Sequence, residues 1–228
     1  DLKRPEGIDG NRITVVVHQQ RVWIWIIPFS NGITSVGFVG DPEFFDNMPE
    51  DNYERMTYLI NSDPNTKERF SDAEMMFEPK SIEGYSISTK QLFGEGYVLV
   101  GNATEFLDPV FSSGVTFAME SGAKAGKLVG QFLKGEDVNW QKDYTEYMMQ
   151  GINTFRTYVS TWYTGELHDI FFSKNPDPEI KKQICSVLAG YVWDLNNPFV
   201  KKHEQAVKSL HKVIELQNRN KALLKELS

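Results

Sequence analysis

Gly101-Asn102-Ala103-Thr104-Glu105-Phe106-Leu107-Asp108-Pro109-Val110-Phe111-Ser112-Ser113-Gly114-Val115 lies between a short apolar run and a long segment rich in small residues, and its reading decides the fold. The run 97–100 predicts a short buried strand and 115–133 predicts a helix, so Ser112-Ser113-Gly114 stands at that helix's start. Backbone N–H groups there have no carbonyl one turn back, and the helix dipole turns its positive end toward them. The place therefore suits a phosphate, a halide or a polarised oxygen. The plainer reading of the same residues is a serine N-cap after an Asp-Pro turn, which many helices show with no ligand at all. Local chemistry alone favours the plainer reading; the surrounding sequence shifts the balance.

Upstream, residues 13–18, 21–28 and 33–38 are rich in Val, Ile and Trp and predict a three-stranded meander, joined by Gln19-Gln20 and Ser30-Asn31-Gly32. Asn-Gly between two such runs predicts a type I′ turn with positive φ at both residues. In Trp23-Ile24-Trp25-Ile26-Ile27 both strand faces are apolar, so the sheet is expected to be covered on both sides. Residues 51–61 and 66–77 predict two short helices across one face, separated by Ser62-Asp63-Pro64-Asn65. Residues 81–89 predict a strand. The helix from Val115 carries Gly122, Gly126 and Gly130 at a spacing of four, a smooth stripe expected to admit a close neighbour. Beyond Gly135 the chain is wholly helical in pattern, with candidates at 139–158, 162–172, 177–193 and 197–216 and a polar last dozen residues expected to fray. The fold class is α+β, with an antiparallel sheet region over 1–92, a strand and helix over 93–135, and a helical region over 136–228.

Composition narrows the function classes. The chain has 228 residues, 40% hydrophobic and 13% aromatic, enough for a large core. A net charge of −7, with the basic residues scattered, argues against nucleic acid as a partner. The single cysteine, Cys185, excludes an internal disulfide framework and a cysteine-based zinc site and suits a reducing cytoplasm. No apolar run approaches the roughly 20 residues that span a bilayer. His18, His168, His203 and His211 form no convincing metal set, and Phe-Ser-Ser-Gly-Val is not a nucleophile elbow.

Two motifs then point the same way. Gly101-Asn102-Ala103 followed by Asp108-Pro109-Val110-Phe111-Ser112-Ser113-Gly114-Val115 resembles the second flavin motif of the FAD-dependent halogenases, within the aromatic-hydroxylase-like flavoproteins. Trp23-Ile24-Trp25-Ile26-Ile27-Pro28 fits the Trp-x-Trp-x-Ile-Pro signature of those halogenases at every fixed position. Trp162-Tyr163-Thr164-Gly165 and Asp169-Ile170-Phe171-Phe172 are similar to the tails of members acting on phenolic or carrier-bound substrates. The resemblance covers most of the chain, weakly after Asn175.

The resemblance implies a mixed layout: an antiparallel substrate-side sheet, the last strand and helix of a flavin-binding domain, and a helical C-terminal region. It places Gly101, Asn102, Asp108, Pro109, Gly114 and Val115 at FAD, with Asn102 standing where the family usually carries Asp. Pro109 would lie beside the isoalloxazine ring, and the amides of Ser113 and Gly114 would hold chloride or bromide. Trp23, Trp25 and Pro28 would form the part of the catalytic region that blocks direct transfer from flavin to substrate. Phe111 replaces the carboxylate of tryptophan-halogenating members, so the implied substrate is another aromatic compound, phenolic or pyrrolic, free or tethered to a carrier. The implied chemistry uses reduced flavin from a separate flavin reductase, dioxygen and a halide to make hypohalous acid, which a lysine directs to the substrate. Neither Lys90 nor Lys124 is given that role.

No Gly-x-Gly-x-x-Gly occurs in residues 1–228, so the pyrophosphate cradle of such enzymes is missing and the sequence reads as the back half of one. Two other readings stand beside the halogenase: a monooxygenase, dehydrogenase or isoprenoid reductase of the same superfamily, and a non-catalytic binding module that has lost its flavin.

Overall fold

The structure is a computed structural model that describes residue 1 and residues 3–226, the last helix with side chains up to 221 and at 223. It has two compact units, Asp1–Gly84 and Tyr85–Ser228, mixing antiparallel strands with helices as the α+β expectation requires.

In the first unit β1 (Thr14–Gln19), β2 (Val22–Pro28) and β3 (Thr34–Val39) form an antiparallel meander in the order β1-β2-β3. Alternation along β2 sends Ile24 and Ile26 to one face, where they are buried with Phe70 against Val16, Val36, Phe38, Ile60 and Ala73. That face is roofed by α2 (Asn52–Ser62) and α3 (Pro64–Phe70), which follow the short α1 (Pro42–Phe45). Burying side chains of this size contributes about 1.5–3 kcal/mol each. Asp51 and Asp63 start α2 and α3 by accepting two backbone N–H groups apiece, with Pro64 at the first turn of α3.

The structure corrects three local expectations in this unit. The β2–β3 connection is a three-residue loop, not a two-residue type I′ turn: Gly32 N–H donates to Phe29 O, and only Gly32 has positive φ, +85°. A type I turn followed by a left-handed glycine closes a hairpin equally well, and Asn31 adds a side-chain bond to the Ile33 amide. The second helix is Pro64–Phe70 rather than 66–77, since Met76 and Phe77 are exposed and gain no burial from continuing it. Between 81 and 89 only Ile87–Ser88 is a strand; Ile82 and Ile87 are exposed, and Gly84 takes φ +61°.

The second unit opens with short ladders: β4 (Ile87–Ser88) pairs β7 (Glu105–Phe106), and β5 (Phe93–Gly94) pairs β6 (Tyr97–Val98). The expected strand 97–100 is thus reduced to its first two residues, because Gly101–Ala103 turns at once into a 3-10 helix. α4 (Gly114–Leu133) begins one residue before the predicted start. It buries Phe117, Ser121, Ala125 and Leu128 on one face and leaves Val115 70% and Met119 72% exposed on another. The glycine stripe also faces open space: a Cβ on Gly122, Gly126 or Gly130 would meet nothing within 4 Å among the described residues. The close approach expected of the stripe is not made in this structure.

A π-helical turn (Gln141–Glu146) leads into α5 (Tyr147–Thr164), whose Met148, Ile152, Phe155, Tyr158 and Trp162 form the centre of the helical core. α5 is stopped by Gly165 at φ +88°, a left-handed cap that glycine takes without steric cost. α6 (Glu166–Phe171), α7 (Pro178–Leu188), α8 (Pro198–Lys201) and α9 (His203–Glu226) complete the unit. The four predicted helices become five: the break expected at 159–161 lies instead at Gly165, and the segment 197–216 is divided at Lys202. The last helix extends beyond the expected end at 216 to Glu226: no breaker interrupts it, and an Arg219–Glu215 pair spans one turn. Residues 227–228 lie outside the described residues.

Candidate functional site

The loop opens at Gly101, whose φ of +59° an L side chain rarely adopts and whose open α-carbon faces Ala118 of α4. Its N–H donates to Ser121 Oγ at 2.8 Å, and that buried hydroxyl donates onward to Phe117 O. Thr104 Oγ1 closes the turn on Gly101 O at 2.7 Å. The turn is thereby fastened to the first half of α4. Asn102 is held beside the helix start, its Oδ1 3.7 Å from where a Cβ on Gly114 would stand.

Asp108 makes the second half of the loop. Its Oδ1 accepts from Val110 N–H at 3.0 Å, an Asx turn that starts a 3-10 turn at Pro109, where proline's fixed φ fits. Its Oδ2 accepts from two phenols, Tyr85 at 2.8 Å and Tyr163 at 2.7 Å. The turn ends with Ser112 N–H on Pro109 O, and Ser112 itself is left-handed, φ +52° and ψ +35°. Ser113 returns to the right-handed region, φ −71° and ψ −17°. Consecutive residues of opposite hand form a concave nest with their amides turned to one side. The Ser113 and Gly114 amides meet no acceptor among the described residues, and Ser113 makes no side-chain cap.

The electrostatics favour an anion. The twenty-residue α4 presents its positive end here, and no acidic side chain stands in its first turn. An L residue in the left-handed region costs about 1 kcal/mol or more, so surrounding contacts must hold Ser112 there. Phe111 is backed edge-on by the Trp162 ring at 5.7 Å, and Trp162 is backed by the His168 ring at 4.3 Å. Burial holds the His168 imidazole below its usual pKa, Asp169 opposing, and its Nε2 has no partner among the described residues. Behind the loop, buried Glu105 accepts from Arg156 at 2.8 Å and from Ser88 at 3.0 Å.

The tryptophan motif belongs to the first unit. Trp23 pairs with Val17 and Val39, and Trp25 with Val15 and Gly37, so both indoles share one sheet face with ring centroids 6.0 Å apart. Trp23 is 2% exposed, while Trp25 is half-buried and donates from Nε1 to Ser35 Oγ at 3.1 Å. Gly37 exists for Trp25: a Cβ there would stand 2.0 Å from the indole. Pro28 ends β2 opposite Thr34.

The structure thus gathers Gly101, Asn102, Asp108, Pro109, Ser113, Gly114 and Val115 around one helix start, with Trp23, Trp25 and Pro28 in the other unit. Sequence reasoning missed Tyr85, Tyr163 and Ser121. Tyr163 is 55 residues from Asp108, and no local pattern announces such a contact.

The sequence model of the tryptophan halogenase family matches residues 8–209, and the chain belongs to that family. It is 26% identical over 183 residues to the 1H-pyrrole-2-carbonyl-(peptidyl-carrier protein) brominase of Pseudoalteromonas luteoviolacea, covering 79% of this chain and 45% of that protein. To the corresponding chlorinase of Pseudomonas fluorescens it is 28% identical, covering 75% and 38%. A crystal structure described as a flavoprotein/dehydrogenase from Cytophaga hutchinsonii superimposes with a TM-score of 0.92 at 62% identity, over 96% of this chain and 53% of that one. The flavin-dependent brominase Bmp2 shares the fold with a TM-score of 0.77 at 23% identity, over 95% and 53%. The chain spans about half the length of these relatives or less.

Proposed function

We propose that this chain is the halide- and substrate-handling part of an FAD-dependent halogenase acting on an aromatic substrate, phenolic or pyrrolic, free or carried on a carrier protein. The observation that carries the reading is the nest at Ser112–Gly114, with two unsatisfied amides at the positive end of a long helix. Bound FAD, in reduced form, would supply the activation of dioxygen that oxidises a halide. The residues present suit that group: a glycine turn at Gly101, the Asn102 amide and the Pro109 turn converge on the same helix start. Asn102 offers a carbonyl in place of the family's carboxylate, Gly114 keeps a side chain out of the approach, and Val115 presents an apolar surface. Ser113 and Gly114 would hold chloride or bromide by their N–H groups. Trp23 and Trp25 would exclude water and keep the substrate from the flavin by bulk. Residues 1–92 would then be the substrate-side region, 93–135 the flavin-facing region and 136–228 the helical region.

The test is turnover of the full-length protein with FAD, a separate flavin reductase, dioxygen and chloride or bromide. A pyrrole-2-carbonyl carrier conjugate and free phenols are offered, and products are read by mass spectrometry. A halogen-isotope pattern on a product is expected; its absence with every substrate overturns the reading. The dehydrogenase description of the 62% identical relative favours a second reading, redox chemistry without halide. Substrate-dependent turnover that needs no halide would select it. A colourless, flavin-free preparation of the full-length protein would instead support a binding module.

A further inference from the structure

Both oxygens of Asp108 are committed inside the protein. Oδ1 shapes the Pro109 turn, and Oδ2 receives two phenolic hydroxyls from elements far apart in sequence, Tyr85 just before β4 and Tyr163 in the last turn of α5. Only Pro109, Val110 and Phe111 separate this carboxylate from Ser112, and Ser112 N–H closes on Pro109 O. A shift of the Asp108 carboxylate therefore moves the left-handed residue on which the nest depends. Desolvation and the adjacent Asp108 charge both raise the Tyr85 pKa, so its hydroxyl stays a donor across the ordinary pH range.

We propose, resting on the halogenase reading above, that Tyr85 and Tyr163 are positioning residues for the halide: their shared grip on Asp108 holds the Ser112–Gly114 nest in its anion-binding shape. The grip acts in two ways. Hydrogen bonds to a carboxylate are charge-assisted and directional, so two of them on one oxygen fix the loop root between the segment before β4 and the C-terminal helices. They also draw the Asp108 charge toward the phenols. A carboxylate released from them would be free to approach the nest, where its negative charge competes with the halide. Neither phenol is asked to touch halide, flavin or substrate.

Tyr163→Phe and Tyr85→Phe keep the rings and remove only the hydroxyls. In the full-length, FAD-loaded protein each is expected to raise the halide KM about fivefold and the double variant about tenfold or more, with kcat within about twofold. A fold-stabilising role alone would lower the melting temperature and leave halide KM unchanged, and that result overturns the proposal. Broadening of the chloride NMR line by the FAD-loaded protein gives a readout independent of turnover, and the double variant is expected to lose most of it. If the parent broadens the line and the double variant does so equally, the clamp is wrong and the halogenase reading stands. If the parent neither broadens the line nor halogenates, the halide site itself falls, and the proposal with it. Should the double variant not fold, the two single variants carry the same test.

Discussion

Strand β2 and the Asp108–Gly114 loop carry the two family motifs, yet they are built by opposite means. β2 is held by volume: Ile24 and Ile26 fill one face, Trp23 and Trp25 pack side by side on the other, and Gly37 is hollowed out to seat an indole. The loop also buries Val110, but its course is set by directed bonds, from Val110, Tyr85 and Tyr163 to Asp108 and from Gly101 to Ser121. Packing tolerates sliding of a few tenths of an ångström. An anion nest does not, because its amides must converge on one point. A wall can be made of bulk, whereas a charge site is made of oriented dipoles.

The contrast can be broken most severely at Trp23. Trp23→Ala is expected to cost about 3–5 kcal/mol in denaturant unfolding, the usual range for emptying a buried aromatic site. A loss under about 1 kcal/mol would show that the strand is not held by volume. Gly37→Val comes next: its side chain must displace the Trp25 ring, for an expected loss of about 1–3 kcal/mol, and Trp25 fluorescence should shift with it. In the loop, conformation and not side-chain bulk is at stake. Ser112→Val, a branched residue at φ +52°, is expected to cost about 1–2 kcal/mol, while Ser112→Gly should stay within about 0.5 kcal/mol of the parent. Equal effects of the two would remove the claim that the left-handed turn matters.

The smallest expected effect is of pH. Burial holds His168 and His203 below the usual 6.5, against the opposing charges of Asp169 and Glu204. The unfolded chain therefore binds protons that the folded one resists. The contribution is complete above about pH 6.5 and is lost as pH falls through the lowered folded values. Melting temperature should decline between about pH 7.5 and pH 5.5, and His168→Asn should flatten part of that slope. A parent melting curve independent of pH in this window would exclude it.

Much of the fold was legible beforehand, where the signal was local. The meander followed from runs rich in Val, Ile and Trp, α4 from the apolar pattern of 115–133, and the helices predicted from 177 and 197 begin one residue later, at Pro178 and Pro198. Short ladders were not legible, because two-residue strands such as β4 and β7 exist only through their partner. The same applies to the hairpin at Asn31-Gly32, whose dipeptide serves more than one turn.

What neighbouring residues write directly is the three-stranded meander with its tryptophan strand, the helical character of the second half and an Asp-Pro turn ahead of a long helix. Tertiary structure alone decided that Ser112 would be left-handed, that Asn102 would sit by Gly114, and that phenols from residues 85 and 163 would meet on one carboxylate oxygen. Hydrophobic periodicity is a property of a short window. The direction of an amide or a hydroxyl depends on everything packed around it, and no window of sequence contains that.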